Sequence, residues 1–204
     1  LEAMQERQIT VEGQTFVLEA PFHVLATANP VEYEGTYPLP EAQLDRFLMR
    51  VSFGYPSQDE EWDVLRRRMA RQREEQTLNA VTDPSTLLGM QAAVETVTVD
   101  ETVSQYCVAL ATQTRQHQHV LVGSSPRGSL ALLLASRAYA VVCGRDYVTP
   151  EDVKAVAQPA LAHRITVKPE LWMSNVSGAS VVASVLANVP APSAQQVVRT
   201  SEPR

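Results

Sequence analysis

"FHVLATANPVEYEGTYPLPEAQLDRF", residues 22–47, opens on an apolar run and closes on a short helical pattern that carries Asp45-Arg46. Phe22-His23-Val24-Leu25-Ala26 has almost no polar alternation, which predicts a strand buried on both faces of a sheet. The run stops at Ala26-Thr27-Ala28-Asn29-Pro30. Ligands of open parallel sheets bind beyond the carboxyl ends of the strands, so Asn29 is placed to touch a ligand or orient a water. An isolated Asn-Pro equally reads as a plain turn.

Pro38 and Pro40 precede Glu41–Phe47, and Pro40 suits a first helical turn. Leu44, Phe47 and Leu48 would face inward and leave Arg46 free to project, with Arg50 one turn further on the same side. Arginine carries a fixed charge in a planar fork of donors that suits phosphate oxygens. Supplied from a neighbouring subunit, such a group can stabilise the transition state of phosphoryl transfer. The competing reading is a surface Asp45–Arg46 pair, worth little.

Upstream, residues 1–7 read as the end of a helix, and "RQITVEGQTFVLEAP" as a hairpin turning at Glu12-Gly13. The chain opens "LEAMQER", without an initiator Met and inside a helical pattern, which suggests a piece of a longer protein. Downstream, "MRVSFGYP" suggests one more short strand, and then the character changes. Ser57-Gln58-Asp59-Glu60 is a capping box opening a helix to about Arg73, with Trp62, Leu65 and Met69 as its apolar face. Asp100 caps a helix with Val103, Cys107, Leu110 and Ala111 at helical spacing. In "SSPRGSLALLLASRAYAVVCGRD", Ser125 caps, Pro126 takes the first position and Gly144 supplies the left-handed stop. Thr149-Pro150-Glu151-Asp152 opens another helix to about His163.

Arg127 lies in the first turn behind Ser125-Pro126. A cation at the positive end of a helix dipole is locally unfavourable, so an external anion would account for it. A solvated arginine is the alternative. His117 and His119 have no carboxylate or cysteine close in sequence and read as loop histidines. The basic run Arg66–Arg73 is surrounded by acidic residues and reads as a solvated face.

Composition narrows the classes. With 45% hydrophobic residues, 20% charged and a net charge of −6, the chain reads as an ordinary globular protein without bulk attraction to nucleic acid. No run approaches the ~20 residues of a membrane span. Cys107 and Cys143 both fall in apolar helical patterns and read as buried hydrophobes, which points to a reducing, cytoplasmic setting. Lys154 and Lys168 are the only lysines, and neither follows a glycine. A phosphate-cradling G-x-x-x-x-G-K-[ST] loop is therefore absent from the chain.

Taken together, the segments resemble the AAA+ ATPases, most closely the MoxR family, over about residues 1–190. "ATANPVEYEGTYPLPEAQLDRF" resembles the family's sensor 1 and arginine-finger region, "GSSPRGSLALLLASRAYA" its sensor 2 helix, and "YVTPEDVKAVAQPALAHRI" the lid helix that follows. The hairpin at 8–19 resembles the pre-sensor 1 insertion. The resemblance implies an α/β core remnant of the P-loop NTPase fold over 1–56, followed by an all-α helical lid over 57–165. A docking segment at 166–190 and a mobile tail at 191–204 complete the expectation.

By the same likeness Asn29 would orient the attacking water, Arg46 (or Arg50) would be the finger acting on a neighbour's nucleotide, and Arg127 would read phosphates in its own subunit. ATP and Mg2+ would be held mainly by an upstream part, so the chain alone is expected to be inactive. The implied whole is a homo-oligomeric ring, a hexamer, doing chaperone-like maturation or metal and cofactor insertion alongside a von Willebrand A domain partner. Nucleic acid and a membrane span are not expected. A chelatase-like or nucleic-acid-acting AAA+ subunit, or a non-catalytic helical adaptor, are the alternatives.

Overall fold

The structure, a computed structural model, describes residues 2–28, 40–174 and 176–193. Helix α1 (Glu2–Glu6) leads into an antiparallel hairpin, β1 (Gln8–Val11) with β2 (Gln14–Val17). Ile9 pairs with Phe16 across it. Glu12 and Gly13 have φ of 49° and 81°, the two positive values that a tight primed turn requires. The Glu2 carboxylate ties α1 to the hairpin by accepting from Gln8 Nε2 at 3.0 Å and Thr10 Oγ1 at 2.8 Å.

Two strand expectations fail. Residues 22–26 form no strand, with Leu25 95% exposed, and residues 49–56 form none either, with Phe53 92% exposed. An apolar strand is stable only where neighbours take up its ladder groups and cover both faces. Neither segment has such a neighbour among the described residues. The local signals fare better. Pro40 stands just ahead of α2 (Glu41–Leu44), as its N-cap rather than inside its first turn. Ser57 and Glu60 form the expected capping box of α3 (Gln58–Arg71), with Glu60 Oε2 accepting from Ser57 N at 2.8 Å. Trp62, Leu65 and Met69 share a face of α3 but stay more than half exposed. Asp83 caps α4 (Pro84–Glu95).

From Val97 onward the chain builds a core. Helix α5 (Glu101–Gln116) packs with α6 (Pro126–Val142) and α7 (Pro150–Leu161), and α8 (Gly178–Asn188) closes the bundle. Leu110, Leu132, Leu161, Val153, Val181 and Val185 are almost completely buried. The expected caps Asp100, Ser125 and Thr149 all bind backbone N–H groups of their first turns, and Gly144 takes φ +74°. A short antiparallel pair, β3 (Val120–Val122) with β4 (Thr166–Val167), joins the α5–α6 connection to the chain after α7. Gly178 permits the dock of α8, since a Cβ there would lie 2.2 Å from the Ala162 carbonyl oxygen.

Several buried polar groups in the bundle are satisfied by one another, although the Tyr106 hydroxyl and His163 Nδ1 are buried without a partner among the described residues. Thr114 Oγ1 donates to Ala111 O at 2.7 Å and accepts from Ser124 N at 2.9 Å. Asp152 meets Arg145 Nη1 at 2.6 Å and Thr149 N at 2.7 Å. Cys107 is buried as expected, whereas Cys143 is exposed. Cys143 caps the C-terminus of α6, where the helix has already left the core. Among the described residues no helix is long and apolar enough to cross a membrane. Asn29, Asn175 and the tail 194–204 lie outside the described residues.

Candidate functional site

Asp45 is the C-cap of α2, and its carboxylate becomes a meeting point for three elements. Ser125, the cap of α6, donates its hydroxyl to Asp45 at 2.9 Å while its oxygen accepts from Arg127 N at 3.1 Å. Arg127 Nη1 lies 3.6 Å from Asp45 Oδ2. Arg164, in the 3-10 turn at 162–164 behind α7, donates through Nε to Asp45 Oδ1 at 3.1 Å. The carboxylate therefore sits at the positive end of the α6 dipole, where a negative charge is favourable. That supplies from within the chain much of the anion that Arg127 demanded. The surface Asp45–Arg46 pair does not form; Asp45 binds Arg127 and Arg164 instead.

Arg164 does more than pair. Its side chain is 3% exposed, and its remaining donors reach Phe47 O at 2.7 Å, Asp45 O at 3.2 Å, Leu48 O at 3.2 Å and Ala160 O. Beside it, His163 Nε2 lies 3.1 Å from Phe47 O. Burial lowers the His163 pKa below the ordinary imidazole value, and the adjacent Arg164 charge lowers it further, so the ring is neutral at pH 7. Burial also draws Arg164 down, against the pull of Asp45.

A cavity of about 230 Å³ opens beside this cluster. Asp45, Arg46, Arg127 and Arg164 form its polar side; Met4, Leu48, Leu130 and Leu134 form its apolar side. Arg46 Nε and Nη1 are buried there without a hydrogen-bond partner among the described residues. Buried donors left unpaired are costly, so this guanidinium is set for an acceptor. Arg50 does not line the cavity; its backbone N donates to Pro159 O at 2.9 Å. A second concavity along α3, about 470 Å³, is bounded by that helix alone, and its Asp63 is already paired with Arg66 and Arg67.

The structure thus brings Arg46 and Arg127 to one cavity and is silent on Asn29. Sequence reasoning missed Arg164 and the shared role of Asp45. The Arg164 charge flanked by Leu161 and Ile165 was the available signal, because a charge in an apolar setting is rarely unpaired. His117 and His119 stack edge-on at 5.2 Å, and no metal-holding group of His, Cys, Asp or Glu occurs among the described residues.

A hairpin and short helix feeding a helical bundle, with arginines from both meeting at one cavity, is the layout of the end of an AAA+ core with its lid. Residues 1–49 match the family described as ATPase family associated with various cellular activities (AAA), and residues 112–185 match the AAA lid domain. A crystal structure of a putative ATPase from Cytophaga hutchinsonii superimposes with a TM-score of 0.86 at 35% identity, covering 94% of this chain and 61% of that one. The uncharacterized protein YeaC of Bacillus subtilis is 44% identical over 98% of this chain and 62% of its own length. Chaperone MoxR1 of Mycobacterium tuberculosis is 37% identical over 97% of this chain and 54% of its own. The chain belongs to the MoxR family of AAA+ ATPases. It spans 62% and 54% of the lengths of these two relatives.

Proposed function

We propose that the chain is the sensor and lid part of an ATP-hydrolysing, chaperone-like machine, and that the cavity at Arg46 and Arg127 handles the charge of the nucleotide phosphates. The observation that carries the reading is the pair of buried Arg46 donors, Nε and Nη1, left without a partner among the described residues beside Arg127. Three guanidinium groups against one carboxylate leave an excess of positive charge, which fits a polyphosphate. The absence of a carboxylate cluster among the described residues fits Mg2+ less well, so an upstream segment would hold the metal and the β and γ phosphates. The bound metal would neutralise charge that develops on the transferred phosphoryl group.

On this reading residues 1–56 end the α/β core, 57–165 form the lid and 166–190 dock beneath it. Asn29 orients the attacking water, Arg127 binds phosphate within its own subunit, and Arg46 reaches the nucleotide of the next subunit in a hexameric ring. Its work on this reading is remodelling of a partner complex, with a von Willebrand A domain protein at hand in the cytoplasm; the name of the relative Chaperone MoxR1 supports the chaperone-like part. The 204-residue chain alone is expected to turn over no ATP.

The test is steady-state ATPase activity of the protein with its upstream segment in place. Arg46→Ala should lower kcat about 10³-fold or more, and mixing it with subunits defective in their own phosphate loop should restore part of the rate. Wild-type turnover in both Arg46→Ala and Arg127→Ala would overturn the proposal.

A further inference from the structure

The segment that carries Arg46 has little structure of its own. Residues 45–50 form no strand, and Arg46 and Phe47 are joined to α2 only by single turn bonds to Gln43 O and Leu44 O. What fixes it is the far end of α7. A helix leaves its last carbonyls without intrahelical partners. Here Pro159 O accepts from Arg50 N and Ala160 O accepts from Arg164. Arg164 then spans the gap, gripping the carbonyls of Asp45, Phe47 and Leu48 with the planar fork of one side chain. Its Nε takes the Asp45 carboxylate, which Ser125 and Arg127 also share.

We infer that Arg164 is a positioning residue: it sets the aim of Arg46 and, through the shared Asp45 carboxylate, holds that aim in fixed relation to Arg127 at the head of α6. The inference rests on the phosphate-handling reading of Arg46. Arg164 borders the cavity and adds its charge there, but the donors described above are all occupied by protein acceptors, so it offers none to a ligand. It acts on the reaction through the backbone of residues 45–48. The energetic logic is that of a supporting residue that locks a functional side chain. Lysine cannot substitute, because a point charge with three donors on a flexible stem cannot satisfy a carboxylate and four carbonyls at once. Any lid movement about α6 and α7 is thereby transmitted to Arg46 rather than absorbed in a loose loop.

A double-mutant cycle on the protein with its upstream segment in place tests this. Arg164→Lys should lower kcat about ten-fold or more while leaving KM for ATP within about two-fold, because the residue touches no substrate. In an Arg46→Ala background the same change should cost less than about two-fold further, since there is no aim left to lose. Equal fractional losses in the two backgrounds, or no loss in the wild-type background, would overturn the inference. Should Arg46→Ala alone keep the wild-type rate, the phosphate-handling reading fails, and this inference with it. If Arg164→Lys does not fold, Asp45→Asn enters the same cycle. It keeps an acceptor for Ser125 and Arg164 but drops the charge that binds Arg127, and it should show the same coupling to Arg46.

Discussion

The described residues before Val97 and those after it obey different rules. In the first stretch no residue is buried; from Val97 to Val185 the chain packs a continuous core. Yet α3, in the first stretch, has as complete a capping box as α7 in the second. The difference teaches that caps and turn residues fix where a helix begins whether or not anything packs on it, whereas burial depends on partners distant in sequence. Helix α5 finds them in α6 and α7, whereas Phe22–Ala26 finds no pairing strand among the described residues and only His23 reaches a distant side chain, Gln91.

The contrast can be broken most directly by truncation on each side. Leu132→Ala should destabilise the chain by about 2–5 kcal/mol, as expected for a fully buried leucine. Leu65→Ala, on the exposed face of α3, should cost under about 0.5 kcal/mol. Urea unfolding followed by far-UV circular dichroism measures both, and equal costs would show that α3 is covered in solution.

A smaller effect sharpens the account of the core. Burial pushes the Asp152 carboxyl up, but hydrogen bonds from Arg145 and Thr149 outweigh it and hold the group below its ordinary value. A carboxylate depressed in the folded state stabilises the fold fully above its unfolded value, about 3.9, and loses that contribution as pH falls through the folded value. Asp152→Asn should therefore cost about 2 kcal/mol at pH 7, and the gap to wild type should close below about pH 4. A gap that stays constant down to pH 2.5 would remove Asp152 from the linkage. The most local effect belongs to Ser57→Ala: about 1 kcal/mol of helix stability, visible as faster amide exchange at the start of α3 with no change in the global Tm.

Much of the helical half was legible in the sequence because its signals are local. Asp100, Ser125, Thr149 and Gly144 sit where their chemistry required. The strand readings at 22–26 and 49–56 rested on apolar pattern alone, and such a pattern describes a need for neighbours rather than their presence. At the site, Arg46 and Arg127 could be picked out by residue type and helix position. Their meeting at one cavity could not, because Asp45 and Arg164 are joined across 119 positions of chain. Cys143 misled for a related reason: helical spacing gives a face, but the core ends before the helix does.

Arg164 holds its neighbours mainly by main-chain oxygen, and every amino acid brings the same oxygen. The attachment is accordingly blind to what residues 47 and 48 carry as side chains. Evolution or a randomised library can recolour the cavity wall at Leu48, altering which molecule fits, while the fastening beneath it goes on unchanged.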